Sequence, residues 1–125
     1  MANRTFQDVQ SNYREVKEVH MSVAIGSSGA PTIDTFGGSY ASIVRNTTGD
    51  YTITMAEGYS GFLNGLVTYS HGTTADFIFQ WKSISDSSSA YNFICIGADG
   101  STALEDPASG STLYITLWLR NSSVK

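Results

Sequence analysis

The sequence is poor in the side chains that most chemistry needs. Its one cysteine, Cys95, can form no disulfide within the chain, and it sits in the apolar run "FICIG", where a thiol behaves as a small buried hydrophobe. Charged residues make up 14% of the chain, against roughly 25% in ordinary soluble domains. The formal net charge is −4 and the positive side chains are scattered. Phosphate recognition needs clustered Lys and Arg, so nucleic acid is not an expected partner. No apolar run nears the ~18 residues that span a bilayer, which argues against a membrane partner. The opening "MANRTFQDVQ" lacks the apolar core of a signal peptide, so a soluble protein made in the cytoplasm is expected.

Catalytic groups are equally scarce. His20 and His71 lie far apart, with no Cys or carboxylate at metal-ligand spacing, and both read as surface or strand-edge residues. "GYSGF" around Ser60 fails the Gly-x-Ser-x-Gly pattern and has no strand-turn-helix context. Glu105 and Asp106, with Asp99 nearby, offer oxygens to a hard cation, yet their spacing matches no EF-hand. A Gly/Asp-rich turn accounts for Asp99 equally well. Catalysis needs titratable groups positioned in company. The sequence supplies none, so no enzymatic activity, no metal and no cofactor are expected.

What is present is strand material. Hydrophobic residues reach 41% and aromatics 12% over 125 residues, enough for the core of one domain. The balance is made up by 18 Ser, 13 Thr and 12 Gly, a mix suited to neutral hydroxylated strand faces and Gly-punctuated turns. "ASIVRNTTGDYTITM", residues 41–55, alternates apolar and polar up to an Asn-Thr-Thr-Gly-Asp corner and resumes after it, which predicts a β-hairpin. From Val19 the period is two: Val19, Met21, Val23 and Ile25 share one face until "GSSGAPT" ends the strand. Further strands are predicted at 38–45, 50–55, 63–69, 76–84, 90–96 and 112–120. Short strands at close spacing with no helix-length pattern between them predict an all-β, antiparallel β-sandwich of jelly-roll-like form.

The N-terminal segment is of another kind. Residues 1–20 hold Arg4, Arg14 and Lys17 against Asp8, Glu15 and Glu18. Phe6, Val9 and Tyr13 fall at intervals of three and four, which fits one face of a short helix and fits an extended arm on a partner equally well. The expected organisation is an N-terminal arm or helix over 1–13 and a sandwich domain over 14–125.

Some strands are apolar on both faces. In "LYITLWLR", Leu113, Ile115, Leu117 and Leu119 form a core face, leaving Tyr114, Thr116 and Trp118 opposite. In "ADFIFQW", Phe77, Phe79 and Trp81 point one way and Ile78 the other. Burying Tyr114 and Trp118 together is worth several kcal/mol of apolar area, so a loop or another subunit is expected to cover them. Tyr40, Tyr59, Tyr69, Tyr114 and Trp118 exceed one core's obvious needs, and the charge-poor strands resemble interface cores. Tyr114, Trp118 and Tyr69 are therefore the candidate subunit-interface residues.

"SIVRNTTGDYTITM", "GFLNGLVTY" and above all the ending "DPASGSTLYITLWLRNSS" resemble head decoration, or cement, proteins of tailed bacteriophages. The similarity spans approximately residues 14–124, and its most specific part is the C-terminal Asp-Pro-x-x-Gly block with the strand after it. The Arg-x-x-x-Gly-x-Tyr hairpin is less specific, because tail-fibre and C1q-like trimeric domains contain similar hairpins. The resemblance implies a jelly-roll-like homotrimer on the outer capsid surface of the virion, bridging major capsid protein subunits after synthesis in the host cytoplasm. It brings no catalytic residue and no cofactor. Residues 1–13 lie outside it; composition alone makes Arg4, Phe6, Val9 and Tyr13 the expected capsid-binding arm. The competing expectation is a carbohydrate- or receptor-binding module of a phage fibre, with Tyr59, Tyr69 and Trp118 stacking on sugars. The long repetitive stalk that such a fibre needs is missing.

Overall fold

Period-two alternation becomes strand wherever Gly, Ser and Asn punctuate it. The structure, a computed structural model, describes residues 16–33, 40–73, 77–97 and 103–120. Its strands are β1 Val16–Ile25, β2 Pro31–Ile33, β3 Ala41–Thr47, β4 Asp50–Met55, β5 Gly61–Ser70, β6 Phe77–Ser85, β7 Ala90–Gly97 and β8 Thr112–Arg120. They form two four-stranded sheets of order β2-β1-β8-β5 and β3-β4-β7-β6, and every strand pairing is antiparallel. The chain is an all-β antiparallel sandwich, as its alternation predicts. The hairpins β3–β4 and β6–β7 stay within the second sheet, while the connections β2–β3, β4–β5, β5–β6 and β7–β8 cross between sheets.

The core lies between the inner faces. Val19, Met21, Val23 and Ile25 of β1 and Leu113, Ile115, Leu117 and Leu119 of β8 meet Tyr51, Ile53, Tyr91 and Phe93 from the second sheet. Both apolar faces assigned from the sequence are thus buried, and each such side chain contributes about 1.5–3 kcal/mol of burial. Cys95 is buried with them.

Three features depart from the alternation. The strand expected from Val19 begins at Val16, because pairing of β1 with β8 continues to Arg120 through the charged Lys17 and Glu18. "GSSGAPT" ends β1 at Ile25 as expected, but its last residues then open an unforeseen edge strand: the chain turns through Ser27–Gly29 and returns as β2, with Pro31 at its first position. Proline is tolerated there because the first position of an edge strand does not need the N–H that proline lacks. Finally, bulges interrupt β3 between Arg45 and Thr47, β5 between Phe62 and Asn64, and β6 between Trp81 and Ser83. Each extra residue reverses the face on which the following side chains lie. Phe62 and Val67, five positions apart, both face inward opposite Leu119 and Ile115 for this reason. Residues 1–13, with Arg4, Phe6, Val9 and Tyr13 and the arm-or-helix alternative, lie outside the described residues.

Candidate functional site

The two motifs that carry the family resemblance meet in space. Arg45, Gly49 and Tyr51 of the β3–β4 hairpin all converge on the carboxylate of Asp106. Arg45 donates through Nε at 3.0 Å and Nη2 at 2.8 Å, and the Gly49 amide donates at 2.8 Å. The Tyr51 hydroxyl shares its proton between Asp106 Oδ1 at 3.1 Å and the Gly29 carbonyl at 2.9 Å. Burial pushes the Asp106 carboxyl up, but these hydrogen bonds and the Arg45 charge outweigh it and hold the group below its ordinary value. Gly49 has φ +68°, and a Cβ there would stand 2.8 Å from the Cys95 carbonyl and from the Glu105 backbone, so only glycine fits the turn.

This network answers the carboxylate question. Asp106 spends its acceptors on the hairpin, and Asp99 lies outside the described residues. Glu105 follows a backbone bridge, its amide donating to the Cys95 carbonyl at 3.0 Å, and its side chain packs on Gly97. The Asp-Pro-x-x-Gly block is a clamp that fastens the loop before β8 to the hairpin. Burial pushes the Cys95 thiol up to about 12, helped by the negative charges of Glu105 and Asp106, so it stays protonated and unreactive.

The surplus aromatics divide into three groups. Tyr114 and Trp118 stand on the outer face of β8, the strand between β1 and β5. Tyr114 is 47% exposed and Leu66, on the same face of neighbouring β5, is 53% exposed, while Trp118 is half-buried. Around them the register sets Glu18, His20, Ser22 and Ala24 of β1 and Asn64, Thr68 and Ser70 of β5. Glu18 brings a carboxylate to this face, 3.4 Å from His20 Nε2, and His20 Nδ1 lies 3.0 Å from the Thr116 hydroxyl. Arg120 closes the end of this face on β8, and between these charges it carries hydroxyls, Asn64 and apolar side chains.

Tyr69 does not belong with them. It lies opposite the buried Leu113, faces inward, and packs edge-on against Phe77 while its hydroxyl accepts the Phe77 amide at 3.2 Å. The reason is parity: β5 carries Val67 and Tyr69 inward and Leu66 and Thr68 outward. Tyr69 is a core-flanking residue of the β5–β6 side, where Trp81 also closes over Gly65, donating to its carbonyl at 3.2 Å. Leu66 is the residue of the exposed face that the sequence reading left out. Tyr40 and Tyr59 form the third group, beside Lys17, Glu18, Val19 and His20 around a cleft of about 220 Å³.

No family model, no curated protein and no solved structure matches this chain. The likeness to phage decoration proteins therefore rests on the quoted sequence blocks alone.

Proposed function

We propose that the protein is a non-enzymatic structural protein of a phage virion. In this reading it is a jelly-roll-like homotrimer that decorates the outer capsid surface and bridges major capsid protein subunits. The observation that carries this reading is the outer face of the first sheet. A sandwich that works alone places polar side chains outward on a central strand; β8 instead presents Tyr114 and Trp118, with Leu66 beside them, among neutral hydroxyls. Aromatic anchors within a charge-depleted patch have the composition of an interface core. Two further features agree with it. The stiff sheet has little order to lose on docking, and several modest contacts repeated through a trimer add up to avidity.

Three potentially reactive groups among the described residues are engaged within the fold, which agrees with this reading. The thiol is buried, and Asp50 and Asp106 are consumed by hydrogen bonds inside the fold. The expected arm, with Arg4, Phe6, Val9 and Tyr13, supplies the second attachment to the shell. The test is co-sedimentation with expanded phage heads beside light-scattering measurement of mass. The full chain should be trimeric and should pellet with heads. Deleting residues 1–13 should leave the trimer and weaken pelleting. A folded, strictly monomeric chain that ignores the heads overturns the proposal.

A further inference from the structure

The opposite face of the sandwich carries a different kind of surface. Asp50, first residue of β4, points outward, yet its side chain is only 9% exposed. Three donors cover it: Lys82 Nζ at 2.9 Å, Asn46 Nδ2 at 2.9 Å and Asn92 Nδ2 at 2.6 Å. Two of those donors come from bulges. Asn46 is the extra residue of β3 and Lys82 that of β6, so strands on opposite edges of the sheet each aim a side chain over the same carboxylate. Bulges recur where a side chain must be re-aimed for a site.

Satisfying Asp50 leaves hydrogen-bonding capacity over on the groups around it. The amide nitrogens of Asn46 and Asn92 are committed, to Asp50 and to Thr52 Oγ1 or the Tyr51 carbonyl. Their amide oxygens, which diverge from those nitrogens, accept no hydrogen bond among the described residues. Thr47, Thr52 and Ser83 bring hydroxyls to the same hollow, which measures about 520 Å³. Lys82 keeps two further N–H donors. Val44, 55% exposed, stands opposite Thr52 in the register, an apolar side chain just outside the hollow.

We propose that this hollow binds a neutral saccharide. Lys82 cancels the charge of Asp50, so the site attracts neither an anion nor a cation strongly. No aromatic ring lines it, so a flat apolar ligand has nothing to stack on. Closely spaced amide acceptors, hydroxyls and ammonium donors on rigid strands match the alternating donors and acceptors of vicinal sugar hydroxyls. Val44, beside Thr52 at the margin of the hollow, offers an apolar surface to the C–H face of a ring that extends past it. The inference is independent of the proposed assembly, which uses the outer face of the other sheet.

The test is an amide-resolved NMR titration of the full chain with glucose, N-acetylglucosamine, maltose and cellobiose. At least one sugar should shift the amides of Thr52, Lys82, Ser83 and Asn92 as a group. Ser83→Ala removes an exposed hydroxyl without touching the Asp50 network and should weaken that binding about 3- to 10-fold, the worth of one net hydrogen bond. Thr47→Val is the second variant; it removes another hydroxyl of the hollow and should do the same with the fold unchanged. Silence at the hollow with all four sugars overturns the proposal. So do shifts confined to Tyr114 and Trp118, or unchanged affinity in both variants.

Discussion

At the scale of single residues, Asp106 ties together three separate parts of the β3–β4 hairpin. It accepts from Arg45, the Gly49 amide and Tyr51, groups drawn from a strand, a turn and the next strand. Replacing it by alanine leaves those donors partly buried without their acceptor. Asp106→Ala should therefore lower unfolding stability by about 2–3 kcal/mol, read from urea denaturation. A loss under about half a kcal/mol would mean that water replaces the carboxylate freely. The same chemistry sets a pH dependence. Asp50 and Asp106 both lie below their ordinary value of 3.8 in the folded chain, where burial raises them but hydrogen bonds and the paired cations win. The unfolded chain then holds protons more tightly than the folded one, so protons favour unfolding. Stability from these groups is complete at neutral pH and is lost as pH falls below about 4. Urea midpoints measured from pH 7 down to about pH 2.5 should drop through that window, and Asp106→Asn should flatten the drop. A flat wild-type profile would show that neither carboxylate is engaged as described.

At the scale of elements, β8 shows what alternation alone can determine. Leu117 is fully buried and Tyr114, three positions away on the other face, is 47% exposed. Leu117→Ala should cost about 3–5 kcal/mol, the transfer loss plus the cavity left in a packed interior. Tyr114→Ala should cost the protomer under about 1 kcal/mol, the worth of cross-strand pairs. Similar losses at both positions, measured on the monomeric fraction, would contradict the burial pattern. Strands of this kind were legible in the sequence because a buried inner face imposes period two, and so were Tyr114 and Trp118 as outward residues. Bulges carry no such signal. The parity reversal in β5 puts Phe62 inside, and the fine assignment of Leu66 outward and Tyr69 inward depends on pairing with β8 that composition does not encode. β2 escaped because three residues that begin with a proline hold no periodicity. The meeting of Arg45 with Asp106, sixty-one positions apart, and of Asn46 with Lys82 over Asp50 are products of sheet order. A linear reading of residue spacing finds neither.

At the scale of the whole molecule, the two outer faces are chemically distinct, and this makes assembly separable from everything else. The first sheet offers rings and neutral hydroxyls, whereas the second offers a charge-compensated polar hollow. If copies associate through the first, each Tyr114 and Trp118 leaves water on association, at about 1.5–3 kcal/mol for a fully buried large side chain. Association of the folded form raises apparent stability by mass action, so the melting temperature of the wild-type chain should climb with protein concentration. The doubly substituted chain, Tyr114→Ser with Trp118→Ser, should melt at a temperature independent of concentration and scatter light as a monomer. Its far-ultraviolet circular dichroism should match the wild type, because both side chains stand outside the core. Deleting residues 1–13 acts on a different link, so that chain should keep the concentration dependence. A wild-type melting temperature that ignores concentration over a hundredfold range would place the exposed rings against some other molecule, and sister copies would have no part in covering them.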